Sequence, residues 1–373
     1  MTSQGRDQEK PGSDRAEQTD LVGWSCSYTP EELLMAAGLT PSRIPTWQAA
    51  GLEGESQLSA MLCPYVHRMY QLGAAGGLKD FRGLILAYSC DSMRRLADVC
   101  EVRLHLGFVY RLDVPRRFDS QAEAFFASRL EQLKHFLEAE TGRAITDSDI
   151  MEAVQVVNRT RQLLQELAVL RAQAPELVGA ADYQAACRQA QTGDKRTVNQ
   201  RLAEWIESLR TDHAAHGAGD TSRPRIMVWG CPVEDGELFR VIEEAGGVLA
   251  ADDLCTTTRH FRGVVETTGQ PLLDLARFAL RRPSCSRMCG AGQRIERVYH
   301  TIRAAGCDGL ICHSLKFCDL TQSDMPRLRQ SLENKSIPVL QLERQGLGEE
   351  SGQLRTRVEA FLEMLRKRRA KAA

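Results

Sequence analysis

The stretch Cys307-Asp-Gly-Leu-Ile-Cys-His-Ser-Leu-Lys-Phe-Cys-Asp-Leu320 decides the fold of this chain. Its apolar part, from Gly309 to His313, predicts a short buried strand of a parallel sheet. Cys318 and Asp319 follow the point where that strand ends. In open α/β sheets, ligands bind at the carboxyl ends of the strands, so this cysteine is a candidate ligand.

The same pattern occurs earlier in the chain. An apolar run from Gly83 to Ser89 is followed by Cys90 and Asp91, and then by a helical pattern. Two separate strands that each end in Cys-Asp predict a soft-metal site assembled from distant loops, because thiolates are the ligands that soft metals prefer.

The alternation of strand and helix patterns predicts an α/β protein with two doubly wound, parallel-sheet domains of the flavodoxin or Rossmann kind, joined by a helical segment. A short strand is also expected at 43–47. The expected divisions are a disordered tail over 1–20, an amino-terminal α/β domain over 21–117, a helical linker layer over 118–212, a linker over 213–224 and a carboxyl-terminal α/β domain over 225–373.

Composition argues against several classes of function. The 48 basic and 49 acidic residues nearly cancel, which gives no electrostatic case for nucleic acid or an acidic membrane. No apolar run approaches the length of a membrane span and the amino-terminus is polar, so a cytoplasmic location is expected. The chain lacks a Gly-x-Gly-x-x-Gly turn after its first strand and a Gly-Lys-Ser/Thr phosphate loop, so nucleotide cofactors lack support.

Twelve cysteines are many for a cytoplasmic chain, where disulfides rarely persist, and metal ligation is the natural explanation for those on loops. Structural zinc takes two close pairs of cysteines, and only Cys285 and Cys289 form such a pair. Single cysteines on separate loops fit an iron–sulfur cluster better. A zinc protein, or a metal-free α/β protein with surplus buried cysteines, stays open at this point.

Six motifs in order carry a family resemblance. They are Cys26-Ser-Tyr-Thr-Pro-Glu-Glu-Leu33, Leu62-Cys63-Pro64, Ser89-Cys90-Asp91, Gly230-Cys231-Pro232, Asp252-Asp-Leu-Cys-Thr256 and the run from Asp308 to Asp319. Over about residues 20 to 365 the chain resembles the 2-hydroxyacyl-CoA dehydratase and benzoyl-CoA reductase subunit family.

The resemblance implies a [4Fe-4S] cluster on Cys63, Cys90 and Cys318, and low-potential one-electron reduction of an acyl-CoA thioester. It also implies a related sister subunit in a heterodimer, or a homodimer, and a separate ATP-hydrolysing iron–sulfur activator. Proton transfer then needs a carboxylate or histidine, for which Glu31, Glu32 and His313 are candidates. Ser27 or Tyr28 is the candidate donor to the thioester carbonyl, and Glu32 and Ser27 are the predicted catalytic residues.

Two departures from the family pattern keep alternatives open. The interval from Cys63 to Cys90 is short, and the loop that carries Cys285 and Cys289 is unusual. Together with Cys231 and Cys255, these last two are reserve ligands for a larger, double-cubane cluster of the kind that reduces small molecules. The other alternative is a non-catalytic subunit that relays electrons or supports a catalytic sibling.

Overall fold

In a computed structural model, the structure describes residues 19–52, 57–216, 222–282, 285–345 and 351–372. Its strands form two four-stranded sheets in which every pairing is parallel. The first sheet contains β1 Leu21–Trp24, β2 Thr40–Arg43, β3 Gly83–Ala87 and β4 Phe108–Leu112. The second contains β5 Arg225–Gly230, β6 Val248–Asp253, β7 Gly309–Leu315 and β8 Val339–Arg344. The predicted fold class of two parallel-sheet α/β units is therefore confirmed.

The strand predicted from Gly309 to His313 lies at the centre of the second sheet, where β7 pairs with β5 on one side and β8 on the other. Every residue of β7 is buried, as its apolar sequence requires. The strand runs two residues further than predicted, because Ser314 and Leu315 continue the pairing with β8.

Helices cover both faces of each sheet. On β3 the side chains alternate, so Ile85 packs in a core with α4 and α5 while Leu84 packs in a second core with α2 and α3. The second sheet is covered by α8 and α13 on one face and by α11 and α12 on the other. The helices are α1 Glu31–Ala36, α2 Pro64–Ala74, α3 Asp91–Arg103, α4 Ser120–Thr141, α5 Asp147–Gln173, α6 Ala180–Thr192, α7 Lys195–His216, α8 Glu237–Glu244, α9 Thr258–Phe261, α10 Pro271–Arg281, α11 Ala291–Ala304, α12 Asp319–Glu333 and α13 Ser351–Ala372.

Two local predictions differ from the structure. The strand expected at 43–47 is wrong, because β2 ends at Arg43 and a 3₁₀ turn occupies Thr46–Ala49. The partner strand β1 ends at Trp24, opposite Arg43, and the Thr46 N–H then donates to the Ile44 carbonyl over 2.9 Å, so the chain turns there. Helix α7 continues to His216 and so enters the segment predicted as the linker 213–224. Linker residues 217–221 lie outside the described residues, as do residues 1–18 of the predicted tail. Within the described ranges, no helix has the length and apolar character needed to cross a membrane.

The two central strands of the second sheet approach most closely at Gly230, the last residue of β5. Its φ of 136° is unfavourable for other residues, and a Cβ atom placed there would lie 1.9 Å from the carbonyl oxygen of His313. The next residue, Cys231, donates its backbone N–H to that same oxygen over 2.9 Å. Glycine is therefore required at position 230, the end of β5 and the residue before Cys231.

We expect Gly230→Ala to lower the free energy of unfolding by at least ~2 kcal/mol, because the methyl group meets backbone that cannot move aside. Gly269→Ala is the matched control: its φ is also positive, at 90°, but nothing lies within 4 Å of its added methyl group. Urea unfolding followed by circular dichroism measures both variants. Equal losses in the two variants would show that the contact with His313 is unimportant.

Candidate metal centre

Both sheets have the same strand order, β2-β1-β3-β4 and β6-β5-β7-β8. In such a sheet the connections diverge between its two central strands, and the crevice at their carboxyl ends is the usual place for a ligand. Cys26 and Cys90 follow the central strands of the first sheet, and Cys231 and Cys318 follow those of the second. Thiols thus flank both crevices.

The structure brings the three predicted ligands together. The side chains of Cys63, Cys90 and Cys318 belong to one apolar cluster beside the first sheet, although the second sheet supplies Cys318. Each of the three is the residue that immediately precedes a helix: α2, α3 and α12 respectively. Helix amino-termini carry partial positive charge, so all three positions favour a thiolate.

At two of these thiols burial favours the neutral form and so opposes the effect of the helix amino-terminus. It raises the pKa of Cys63 to about 11, with Cys318 nearby adding to the shift, and it raises the pKa of Cys90 to about 12. At Cys318 a hydrogen bond from the Cys231 thiol outweighs burial and lowers the pKa to about 6. Two neutral thiols therefore lie beside one thiolate, and a metal that bound all three would displace protons.

The backbone just before Cys318 is unusual. Phe317 has a φ of 61°, in the left-handed region that residues with a side chain rarely adopt. The Cys318 N–H donates to the Leu315 carbonyl over 3.0 Å and closes the turn. This turn directs the chain from the end of β7 into α12 and sets the position of the cysteine between them.

All twelve cysteines are free thiols. In the part of the chain that the structure describes, no group of three or more His, Cys, Asp or Glu side chains is spaced to hold a single metal ion. A cubane cluster binds each thiolate to a different iron, so its ligands stand farther apart than the ligands of one zinc ion. The three predicted ligands pack in one apolar cluster but are not close enough together to bind a single metal ion. That spacing is compatible with a cubane cluster.

The reserve ligands have different surroundings. Cys255 lies against Arg43, whose guanidinium contacts the sulfur at 3.8 Å and the carbonyl at 2.8 Å. Burial raises the pKa of Cys285, an increase that Arg259 opposes and the nearby Cys26 thiol reinforces. Cys289 is exposed. The thiols at 26, 255 and 285 thus lie near arginines, and those at 26 and 285 also pack against an apolar core of the first sheet.

Cys231, a reserve thiol in the sequence-based interpretation, is a close neighbour of the predicted ligand Cys318. Its sulfur shares Thr321 with Cys318, at 3.3 Å and 3.5 Å from the hydroxyl respectively. The signal was present in the sequence, since Gly230-Cys231-Pro232 ends a strand of the same sheet as Cys318.

Ser27 takes part in a buried polar chain. Its hydroxyl lies 3.0 Å from Nδ1 of His260, whose Nε2 lies 3.0 Å from Glu31, and Glu31 pairs with Lys195 at 2.6 Å. Burial disfavours the Glu31 carboxylate, yet Lys195 and His260 outweigh it and lower its pKa to about 2. An ionised carboxylate only accepts hydrogen bonds, so Nε2 of the imidazole carries the proton and Nδ1 accepts from Ser27.

Glu32, the other predicted catalytic residue, forms a buried ion pair with Arg161 of α5 at 2.6 Å. The catalytic roles of Ser27 and Glu32 stay predictions. His260 and Lys195 carried no sequence signal, because each lies more than 160 positions from Glu31 along the chain.

Fold and thiols together define the class: an α/β protein with two parallel sheets and a cysteine shortly after the carboxyl end of each central strand. The model of the 2-hydroxyglutaryl-CoA dehydratase D-component family matches residues 26–365. The chain therefore belongs to the 2-hydroxyglutaryl-CoA dehydratase D-component family, as the sequence motifs predicted.

Individual relatives span almost the same length. The chain is 21% identical to the (R)-phenyllactyl-CoA dehydratase beta subunit of Clostridium sporogenes, over 94% of this chain and 93% of that one. It is 25% identical to the lactoyl-CoA dehydratase subunit beta of Anaerotignum propionicum, over 92% and 91%. It is also 25% identical to a benzoyl-CoA reductase subunit of Thauera aromatica, over 90% and 87%.

Buried histidines predict how stability depends on pH. Burial lowers the pKa of both His260 and His313 from 6.5 to about 4. Between those values the unfolded chain binds protons that the folded chain does not, so stability falls as pH falls, by roughly 3 kcal/mol for each histidine. We expect His260→Gln to remove about half of this loss between pH 6.5 and 4.

The control is His135→Gln, which changes a histidine with a 65% exposed side chain. Urea midpoints measured from pH 8 to pH 4 give the slopes. The interpretation is wrong if His260→Gln and the control lose stability over that interval as steeply as the unmodified chain does.

Proposed function

We propose that this chain is an iron–sulfur subunit of an enzyme of the 2-hydroxyacyl-CoA dehydratase and benzoyl-CoA reductase type. In this proposal Cys63, Cys90 and Cys318 hold a [4Fe-4S] cluster, and the chain takes part in low-potential one-electron reduction of an acyl-CoA thioester. One observation carries it: three thiols from distant parts of the chain share a single apolar cluster at three helix amino-termini.

The surroundings of the thiols suit that cofactor. A cluster with three thiolates is an anion, and the amino-termini of α2, α3 and α12 favour negative charge next to them. Apolar neighbours such as Met93 and Leu96 keep water away, and exclusion of water is one of the factors that sets the potential of an iron–sulfur centre. When bound, such a cluster supplies single low-potential electrons, and the three cysteines leave one iron without a protein ligand.

Ser27 and Glu32 remain the proposed catalytic residues. Ser27 hydrogen-bonds to His260, whose pKa of about 4 keeps the imidazole neutral at physiological pH. Nδ1 of that imidazole therefore accepts the hydrogen bond of the Ser27 hydroxyl. Glu32 forms a buried ion pair with Arg161. To donate to a thioester carbonyl, the Ser27 hydroxyl would have to turn its single proton away from Nδ1 of His260.

The names of the relatives support a multi-subunit enzyme. Two of them are called beta subunits, and the third is named as one subunit of a reductase. We propose a related sister subunit in a heterodimer, or a second copy in a homodimer, an ATP-dependent iron–sulfur activator as the electron source, and a cytoplasmic location.

A second candidate is a double-cubane reductase of small molecules. The thiols of Cys26, Cys255 and Cys285 favour it, because they form a further group next to cationic side chains at the same end of the sheets. Arginines next to thiolates stabilise the extra negative charge that a larger cluster would bring.

Substitution of one ligand tests the cofactor assignment. After anaerobic reconstitution we expect about four irons and as many acid-labile sulfides per chain, and a loss of at least half of both in Cys318→Ala. Cys100→Ala is the control, since Cys100 lies in the same apolar cluster but inside α3. An undiminished iron content in Cys318→Ala, or no iron in the unmodified chain, contradicts the assignment. About eight irons per chain, reduced by Cys255→Ala, would favour the double-cubane reductase.

Electron paramagnetic resonance separates catalysis from electron relay. We expect the reduced cluster of this chain, reconstituted with its sister subunit, to change its spectrum when acyl-CoA is added, because the open iron would face the substrate. Ser27→Ala should weaken that change, while Ser128→Ala on the exposed face of α4 should leave it intact. A spectrum indifferent to acyl-CoA, with turnover retained by the pair, would assign the chain to relay.

A further inference from the structure

An open cavity of about 430 Å³ lies beside β6, the edge strand of the second sheet, between α5 and the end of α11. None of the cysteines lines it. Its charged lining consists of three guanidinium groups, those of Arg171, Arg225 and Arg262, and one carboxylate, that of Asp252. The cavity is therefore distinct from the thiol site and has a formal charge of +2.

Arg171 is the least satisfied of these groups. Its side chain is 2% exposed, and its guanidinium stacks on Tyr183 at 4.2 Å from the ring centre. One terminal nitrogen pairs with Asp252 at 3.0 Å, but Nε and Nη1 have no hydrogen-bond partner. Buried guanidinium N–H groups nearly always have an acceptor, so Arg171 keeps two unsatisfied donors beside the cavity.

Asp252 cannot supply that acceptor. One of its oxygens accepts from the Thr257 hydroxyl at 2.5 Å and from the Thr258 backbone at 3.0 Å. The other accepts from the Thr258 hydroxyl at 2.7 Å and from Arg171. The carboxylate is fully engaged within the fold, and its negative charge is already shared.

Among the described residues, the positive charges of the other two arginines have no carboxylate as an ion-pair partner. Arg225 donates to the carbonyl oxygens of Ala172 and Ala305, at 2.9 and 3.0 Å, and a neutral carbonyl leaves the cation uncompensated. Arg262 is half-buried at the end of α9. Across the described ranges neither of them lies within ion-pair distance of a carboxylate.

We propose that this cavity binds the phosphate group of a nucleotide-sized organic ligand. A phosphate monoester carries a charge close to −2 at neutral pH, which matches the uncompensated charge, whereas one carboxylate would neutralise only half of it. Planar guanidinium groups suit phosphate oxygens. The volume suits a small organic ligand, and alanines together with Phe261 provide an apolar wall for its uncharged part.

Two sources could deliver this phosphate: a free nucleotide, or the nucleotide end of coenzyme A. The test uses isothermal titration calorimetry of the full chain with inorganic phosphate, ADP, coenzyme A and dephospho-coenzyme A. We expect saturable binding of one ADP or coenzyme A per chain, weakened about tenfold as salt rises from low to physiological ionic strength. Coenzyme A that binds more tightly than both ADP and dephospho-coenzyme A identifies its 3′-phosphate as the bound group; equal affinities for ADP and coenzyme A identify a free nucleotide.

Two variants at the cavity and one control make the test specific. Arg262→Gln removes one cation and should raise the dissociation constant about tenfold or more. Ala304→Phe places a ring on an exposed residue of the lining and should abolish binding without disturbing the core. Arg240→Gln removes the same charge from a 61% exposed site on α8 and should leave the affinity within about twofold.

The proposal fails if none of the four probes binds saturably at millimolar concentration, or if both cavity variants bind as tightly as the unmodified chain. Titration of the Cys318→Ala chain separates this outcome from failure of the proposed enzyme function. The cavity contains no thiol, so a chain without a metal cluster should bind these probes unchanged.

Discussion

The parallel arrangement of the strands is the constraint on which the rest of this structure depends. Parallel strands in one sheet end at the same edge, so residues that follow different strands are collected there however far apart they lie in the chain. Both sheets repeat the same strand order, and in both of them a cysteine follows each central strand. That geometry places Cys90 at the end of a central strand of the first sheet and Cys318 at the end of a central strand of the second. Packing of the second unit against the first, and of Cys63 at the start of α2, completes the group.

Much of the fold could be predicted because its signals are local. The buried run at Gly309 and the Cys-Asp pairs at the ends of strands depend on neighbouring residues alone, and both were found at the expected places. The strand expected at 43–47 was wrong because its partner strand ends opposite Arg43 and the chain then turns. The polar chain from Ser27 to Lys195 could not be predicted, since it joins residues from three distant segments that only tertiary packing brings together.

Buried charge gives the arrangement of the helices its specificity. Adjacent residues of α1 form two ion pairs: Glu31 with Lys195 of α7, and Glu32 with Arg161 of α5, both at 2.6 Å. Buried pairs add little net stability compared with apolar packing, but loss of one partner is strongly destabilising. A packing in which α1 met other helices would leave two carboxylates without cations, so these pairs select one placement of the helical layer against the first sheet.

The same two ion pairs set a limit on dissection of the protein. An excised fragment that ended after β4 would keep both glutamates of α1 but lose both cations, along with the apolar side chains of α4 and α5 that cover Ile85. Its carboxylates would then need water or protons in place of arginine and lysine. The first sheet therefore depends on helices that follow it in the chain. The segment that contains its four strands is not expected to fold independently.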